Sequence, residues 1–246
     1  MSLKERELAI LEYLKERKEA SVTELCGALF VSEPTVRRDL AALNASGKII
    51  RTHGGAVYRR EPGENLPQTI RERENLDAKA AIGKKSLSLI RDGDVIMVDA
   101  SSTALALLSL LDPKLSVVVI TNSAKAPQLL TDTNVKTFVT GGELASHSLA
   151  YIGGYAEDFI RSFNADLCFF SVRTLTADGR LTDNAIAENS LRRVMMSRSK
   201  RSVLLLDSKK IGEPCLNTLC DLDAISQVVS ERDLSSLYPL YSHKFI

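Results

Sequence analysis

The chain lacks the features that would place it in a membrane, outside the cell or around a structural metal. No run of about 18 apolar residues occurs in its 246 residues, so no membrane-spanning helix is expected. The opening MSLKERELAIL carries charge where a secretory leader needs an apolar stretch. There are four cysteines and no C-x-x-C pair. Cys215 and Cys220 have no histidine near them, which argues against a zinc site, and Cys26 and Cys168 sit in apolar patterns as core thiols. No internal repeat or low-complexity tract is present. These absences fit a reducing cytoplasm, with no metal and no cofactor expected. The 44% hydrophobic content is enough for a sizeable core, and the length allows one or two domains.

The most informative stretch is SEPTVRRDLAALN, residues 32–44. Ser32 suits a helix N-cap, Glu33 the positive helix end and Pro34 the first turn. Val36, Leu40 and Leu43 recur at i, i+4 and i+7 and form one apolar stripe, which turns Thr35, Arg37 and Arg38 toward solvent. A first helix is expected over Leu3–Arg17, with Leu3, Ile10, Leu11 and Leu14 inward. Ser21-Val22-Thr23-Glu24 is a capping box that opens a second helix through Phe30, with Val22, Leu25 and Leu29 inward. Only Val31 and Ser32 separate it from the third, the spacing of a helix-turn-helix. Gly47 suits a C-cap; Lys48–Thr52, the turn His53-Gly54-Gly55 and Ala56–Tyr58 then read as strand, turn, strand: a wing. From Pro34 to Arg60 six basic residues (Arg37, Arg38, Lys48, Arg51, Arg59 and Arg60) face the single acid Asp39, a local net of 6 − 1 = +5 in a chain of net +1. That local excess suits phosphate neutralisation, and an arginine can bridge guanine O6 and N7 in the major groove.

The run Ser32-x-x-Thr35-Val36-Arg37-Arg38-Asp39-Leu40, followed by Arg51-Thr52-His53-Gly54-Gly55-Ala56, resembles the DNA-binding domain of DeoR-type bacterial transcription regulators. The resemblance covers residues 3–57. It implies that Ser32, Thr35, Arg37 and Arg38 approach the major groove, that Arg51, His53 and Gly54 lie near the backbone, and that Asp39 orients an arginine.

Residues 59–68, RREPGENLPQ, are polar and hold two prolines and a glycine, and read as a linker between a winged domain (1–58) and a second domain (69–235); residues 236–246 read as a tail, loosely attached. A helix is expected from Thr69 to Ile90. From Asp94 on, apolar strands (Val95–Val98, Val117–Thr121, Val135–Thr140, Leu167–Val172, Val203–Asp207 and Ile225–Ser230) alternate with helices (Ser102–Leu111, Ala124–Leu130, Tyr155–Phe163 and Ala185–Ser199). Strands apolar throughout argue for a mainly parallel sheet covered on both faces, an α/β fold.

In such sheets ligands bind beyond the carboxyl ends of the strands. The segments there are Asp99-Ala100-Ser101-Ser102-Thr103 at a helix start, Thr121-Asn122-Ser123, Gly141-Gly142, and Ser208–Gly212 with its lysines. Ser and Thr in such places are commonly plain N-caps; four such loops on one edge favour a small phosphorylated ligand.

These loops, with Asp207-Ser208-x-Lys210-x-Gly212, resemble the DeoR-type effector domain across about residues 70–230. The resemblance implies a Rossmann-like fold similar to ribose-5-phosphate isomerase and a phosphorylated sugar or related metabolite as effector, and Arg71 and Lys79 match positions the family keeps. Two positions depart from it: Ser101 stands where the family has glycine, and Ser171-Val172-Arg173-Thr174 replaces a glycine-rich segment. Effector contacts are therefore expected from Asp99, Ser101, Ser102, Thr103, Thr121, Asn122, Ser123, Gly141, Gly142, Arg173 and Lys210, with Arg173 selecting a second acidic group if it enters the pocket. The expected function is a repressor of carbohydrate genes, not an enzyme, acting on double-stranded operator DNA as a dimer or tetramer. The alternative is a sugar-phosphate isomerase with Asp183 or Glu188 as its base.

Overall fold

A computed structural model describes residues 3–46, 48–58 and 67–246; the side chains of Leu3 and Lys4, the Gly47 cap and residues 59–66 lie outside the described residues. The chain divides into two compact units, residues 1–64 and 65–246.

In the first unit α1 (Leu3–Arg17) leads into β1 (Glu19–Ser21), α2 (Val22–Leu29), α3 (Glu33–Ala45), β2 (Ile49–Arg51) and β3 (Gly55–Tyr58). Ile10 and Leu14 of α1 meet Val22 and Leu25 of α2 and the Val36–Leu40–Leu43 stripe of α3 in one buried cluster. The capping box at Ser21 forms, with Glu24 N–H donating to Ser21 Oγ at 3.1 Å and Ser21 N–H donating to Glu24 at 2.7 Å. Ser32 occupies the N-cap of α3, but its hydroxyl lies 2.9 Å from Thr35 Oγ1 and makes no cap bond to the backbone, contrary to the sequence expectation. The wing has a third strand that sequence did not show: the order is β1-β3-β2, all antiparallel. Gly55 belongs to β3 and not to the turn. A Cβ there would sit 2.0 Å from the Ala20 carbonyl oxygen, so glycine is what lets β1 lie against β3.

The second unit opens with α4 (Gln68–Arg73) and α5 (Leu76–Leu87), where one helix was expected. Glu74 is extended and Asn75 left-handed (φ +50°), and Asn75 Nδ2 donates to Asp207 at 2.6 Å, which fixes the break. Gln68 is buried and donates its N–H to the His147 carbonyl at 2.7 Å, so it belongs to this unit and not to a linker. There follow β4 (Val95–Val98), α6 (Ser102–Leu108), β5 (Val118–Thr121), α7 (Ala126–Leu129), β6 (Lys136–Val139), the hairpin of β7 (Glu143–Ala145) and β8 (Ala150–Ile152), α8 (Gly154–Arg161) and β9 (Ala165–Phe170). After β10 (Thr174–Leu175), β11 (Arg180–Asp183) and α9 (Ile186–Ser197) come β12 (Ser199–Leu206), β13 (Asn217–Asp221) and β14 (Gln227–Ser230).

The main sheet runs β14-β12-β9-β4-β5-β6 and is parallel throughout. Successive side chains go to opposite faces, so Phe169, Val203 and Leu205 join the core under α5 and α6 while Phe170, Leu204 and Leu206 join the core under α8 and α9. That double burial is why the strands are apolar at every position. From β4 the sheet grows one way through β5 and β6 and the other way through β9, β12 and β14, which puts the switch point between β4 and β9. A small antiparallel sheet, β10-β11-β13, packs at the side of the second core.

The last residues are firmly held, contrary to the loose tail expected. Tyr238 is buried, donates its hydroxyl to the Thr176 carbonyl at 3.1 Å and stacks on Phe245 at 5.5 Å. Lys244 Nζ donates to the carbonyls of Leu222, Asp223 and Ile225 at 2.8–3.0 Å. Phe245 bridges Val228 in parallel.

Gly55→Ala should lower the stability of the first unit by about 1–3 kcal/mol, because β1 must move to admit the methyl group. Gly54→Ala is the control: nothing lies within 4 Å of a Cβ there, and denaturant unfolding of the two variants should separate them clearly.

Candidate functional site

Two regions carry the polar chemistry, one in each unit. In the first, Ser32, Arg37, Arg38, Lys48, Arg51, His53 and Gly54 are all exposed and Thr35 is half-buried. Arg38 makes no hydrogen bond or ion pair among the described residues, whereas Arg37 Nε donates to Glu33 at 3.0 Å one turn back. Asp39 does orient an arginine, but it is Arg6 of α1: Arg6 Nη2 donates to Asp39 Oδ1 at 2.9 Å and Nε to Oδ2, a bidentate pair. Asp39 is fully buried in that pair, so the one acid of the basic stretch shows no charge to solvent. At the wing, Arg51 N–H donates to Asn44 Oδ1 at 3.1 Å, tying β2 to the end of α3.

In the second unit the loops after β4, β5, β6, β9 and β12 all leave the same edge of the sheet. The group that organises this edge is Arg192, which sequence reading passed over. It lies on α9, 3% exposed, and its guanidinium donates to Asp99 Oδ2 (2.9 Å), Asp183 Oδ2 (3.1 Å), Asn189 Oδ1 (3.0 Å) and Glu188 Oε2 (3.2 Å). Burial alone would lower its pKa; the three carboxylates outweigh it and hold the guanidinium charged. The available signal in the sequence was a charge at i+4 from Glu188 on the same stripe as Met195.

The pair of carboxylates that an isomerase could use are both consumed by this network. Asp183 also accepts the N–H groups of Asn184 (2.8 Å) and Ala185 (3.2 Å). Glu188 is held down to about 2, because His147 and Arg192 together overcome the opposing effect of burial. A carboxylate so stabilised is a poor general base.

Several of the expected ligand residues serve the loops themselves. Asp99 Oδ1 accepts Ser101 N–H at 3.0 Å, Ser101 Oγ caps α6 through Ala104 N–H at 3.2 Å, and Thr121 Oγ1 accepts Ser123 N–H at 3.1 Å. Ser123 Oγ accepts the N–H groups of Lys125 (3.1 Å) and Ala126 (3.3 Å). Ser102 and Thr103 are buried in the first turn of α6 and Asn122 beside them after β5. Gly141 (φ +63°) has open space where a side chain would be, but at Gly142 (φ +104°) that space is closed by the Ile152 carbonyl, 2.9 Å from a Cβ position. The glycine pair therefore admits β8 as much as any ligand.

Cations gather at the switch point. Lys210 Nζ donates to Ser171 Oγ at 2.7 Å, and its pKa is pushed down to about 8, first by burial and then by the positive charge of Arg71, with Lys79 adding to it. Arg71 and Lys79 come from α4 and α5. Lys79 Nζ donates to the carbonyls of Arg71 and of Glu74, the latter at 2.7 Å. Arg71 feels the charges of Glu188, Arg192, Asp183 and Asp99. Arg173, after β9, is half-buried and makes no hydrogen bond or ion pair among the described residues; Glu74 is an acidic neighbour on which its charge acts.

A basic winged helix-turn-helix followed by a parallel sheet with a polar, cation-bearing carboxyl edge defines a transcription regulator with its own sensor domain. The DeoR-like helix-turn-helix domain matches residues 6–61, and the DeoR C terminal sensor domain matches residues 74–232. The chain belongs to the DeoR family of DNA-binding transcription regulators and is not an enzyme. It is 33% identical to the HTH-type transcriptional regulator GolR of Listeria innocua over 94% of this chain and 91% of that protein. It is 34% identical to the L-fucose operon activator of Haemophilus influenzae over 93% of this chain and 92% of that one. Among solved structures, ribose 5-phosphate isomerase A from Methanocaldococcus jannaschii aligns with a TM-score of 0.43 and 18% identity over 56% of each chain. No helix among the described residues is long and apolar enough to cross a membrane.

Arg192→Met should destabilise the second unit by about 3–5 kcal/mol, since it strands three buried carboxylates. The deficit should shrink as the pH falls and those carboxylates take up protons, which urea titrations at two pH values would read.

Proposed function

We propose that the chain is a cytoplasmic repressor of carbohydrate-metabolism genes whose hold on operator DNA is controlled by a phosphorylated sugar or related metabolite. A repressor needs only operator occupancy, and the exposed basic surface of α3 and the wing supports that without any further contact. The major-groove contacts in this reading are Ser32, Thr35, Arg37 and Arg38; Lys48, Arg51, His53 and Gly54 attend the phosphate backbone. One winged helix reads few base pairs, so a homodimer or homotetramer that pairs half-sites belongs to the same reading.

The observation that carries the sensor half is the gathering of Arg71, Lys79 and Lys210 beside the Asp99–Thr103 turn, at the switch point of the sheet. Burial, with the charges of Arg71 and Lys79, lowers the pKa of Lys210 against the opposing pull of Asp183 and Asp207, and a phosphate is an anion such a partly desolvated cationic site suits. Ser101, Ser102 and Thr103 line that position, with Lys210 as the supporting cation. Thr121, Asn122, Ser123 and Gly141 face the rest of the ligand, Gly142 sets the adjacent loop, and Arg173 is placed for a second acidic group. Asp99 acts through Arg192, as a positioning residue.

Arg38→Ala should weaken specific operator binding by about 1–3 kcal/mol, and Lys48→Gln should weaken all sequences alike and flatten the salt dependence; fluorescence anisotropy on operator and scrambled duplexes at several salt concentrations tests both. Unchanged operator affinity in Arg38→Ala would remove that residue from the interface.

The sensor has a pH signature. Lys210 loses its proton as the pH rises through about 8, and a phosphate dianion prefers the protonated form. Affinity for sugar phosphates should therefore fall roughly tenfold between pH 7 and 9, with proton uptake on binding near pH 8, and Lys210→Gln should abolish both effects. Isothermal calorimetry in buffers of different ionisation enthalpy reads the protons directly.

A further inference from the structure

A left-handed backbone is unfavourable for any residue with a side chain and most of all for a bulky one, so such positions point to function. Among the described residues four other than glycine take positive φ: Lys18, Phe30, Asn75 and Leu149. Asn75 uses the conformation to reach Asp207. Phe30 stands apart. It closes α2 at φ +54° and ψ +43°, where helices commonly end on glycine or asparagine. It is 93% exposed, and its ring takes no part in stacking or cation–π contact among the described residues. Its neighbours Leu29 and Val31 pack against the helical core, and Phe30 does not join them. One residue thus carries both a strained backbone and an apolar ring in water.

Its place in the fold indicates what the ring is for. Phe30 lies in the turn of the helix-turn-helix, two positions before Ser32, the N-cap of α3. Val31 turns inward, and Phe30 and Ser32 on either side of it are exposed. Thr35 follows one turn on, its Oγ1 2.9 Å from Ser32 Oγ. The ring therefore flanks the end of α3 that a helix-turn-helix directs at base edges. The exposed Arg37 and Arg38 on the same helix make this surface suit a polyanion and not an apolar protein face. DNA offers a ring here two apolar surfaces, the methyl groups of thymines and the carbon faces of deoxyriboses, and phenylalanine is among the side chains that contact a thymine methyl in the major groove.

We infer that Phe30 is a DNA-contacting residue, whose ring packs on apolar atoms of the operator beside the entry of α3. The left-handed turn holds the ring out before DNA arrives, so no loop has to reorganise on binding. The inference rests on the DNA-facing reading of α3 given above. It adds to Ser32, Thr35, Arg37 and Arg38 a contact that uses neither charge nor hydrogen bond.

The test uses the whole chain and a duplex that it selects from a random-sequence library. Phe30→Asn and Phe30→Gly both suit a left-handed turn, so the free chain of each should melt at the parent temperature or above it. Both should bind the duplex about tenfold more weakly in fluorescence anisotropy, as expected for a lost aromatic contact. Replacing the thymines one at a time by deoxyuridine removes only the methyl group. A loss of about fourfold at one position in the parent, absent from Phe30→Asn, assigns the contact to a thymine methyl. No such position, with the tenfold loss retained, assigns it to a deoxyribose face. Unchanged affinity in both variants overturns the inference, and Arg38→Ala shows how far the failure reaches. If Arg38→Ala weakens binding, the reading of α3 stands; if it does not, that reading falls as well. A lowered melting temperature in both variants also overturns the inference, since the ring then packs on the chain itself or on a second copy. Where one variant alone melts lower, the other carries the test.

Discussion

The sensor edge depends on one buried charge. Arg192 brings a guanidinium into a place where water cannot serve it, and the cost of that burial is met only by donating to Asp99, Asp183, Glu188 and Asn189 together. Those partners come from the loop after β4, the end of β11 and α9 itself, so one side chain sets the spacing of three segments. Ser171 N–H lies 3.4 Å from the same Asp99 carboxylate, and Ser171 Oγ receives Lys210. The loops after β9 and β12 thus take their positions from the Arg192 network at second hand. The loops at this edge are tied to one another through side chains of the protein itself.

The first unit uses the same device once. Asp39 faces into the helical core, and without Arg6 it would be an unpaired buried charge. The pair ties α1 to α3, so the recognition helix is oriented from the side opposite its exposed arginines. It also keeps the Asp39 carboxylate off a surface that must approach polyanionic DNA, where the exposed Glu33 is paired with Arg37. Structure and electrostatics are served by one contact.

The sequence made legible whatever rests on periodicity or on a local motif. The three helices and the wing, with their capping box and stripe, follow from spacings within a few residues. The parallel strands follow from their unbroken apolar runs, because a strand buried on both faces has no polar position to confuse it. What was hidden depends on partners distant in the chain. The strands β1 and β13 pair with β3 and β11, distant in the sequence, while the local pairs β7–β8 and β10–β11 involve strands of two to four residues, too short to show an alternation. Gln68 read as linker because it follows two prolines and a glycine, yet its amide is sequestered against Ala100. Beyond Glu188 one turn back, Arg192 gave no local signal of its network, since Asp99, the most distant of its three acids, lies 93 positions away in the sequence. Ser101 and Ser123 were visible as ligand candidates, but Ser101 Oγ caps α6 and Ser123 Oγ accepts the N–H groups of Lys125 and Ala126.

The closing residues give the sheet something its strand order alone does not. β14 is the last strand on its side, and its outer edge would present free N–H and C=O groups, the template on which unrelated chains add themselves as extra strands. Ile246 N–H donates to the Val228 carbonyl at 3.0 Å and Ser230 N–H to the Ile246 carbonyl at 3.3 Å, which occupies part of that edge from within the molecule. The segment acts as a hem: besides the packing of Tyr238 and Phe245, it limits how readily the sheet can be extended by a stranger. A sheet whose other strands are all paired has reason to keep that flank from accepting strands indiscriminately.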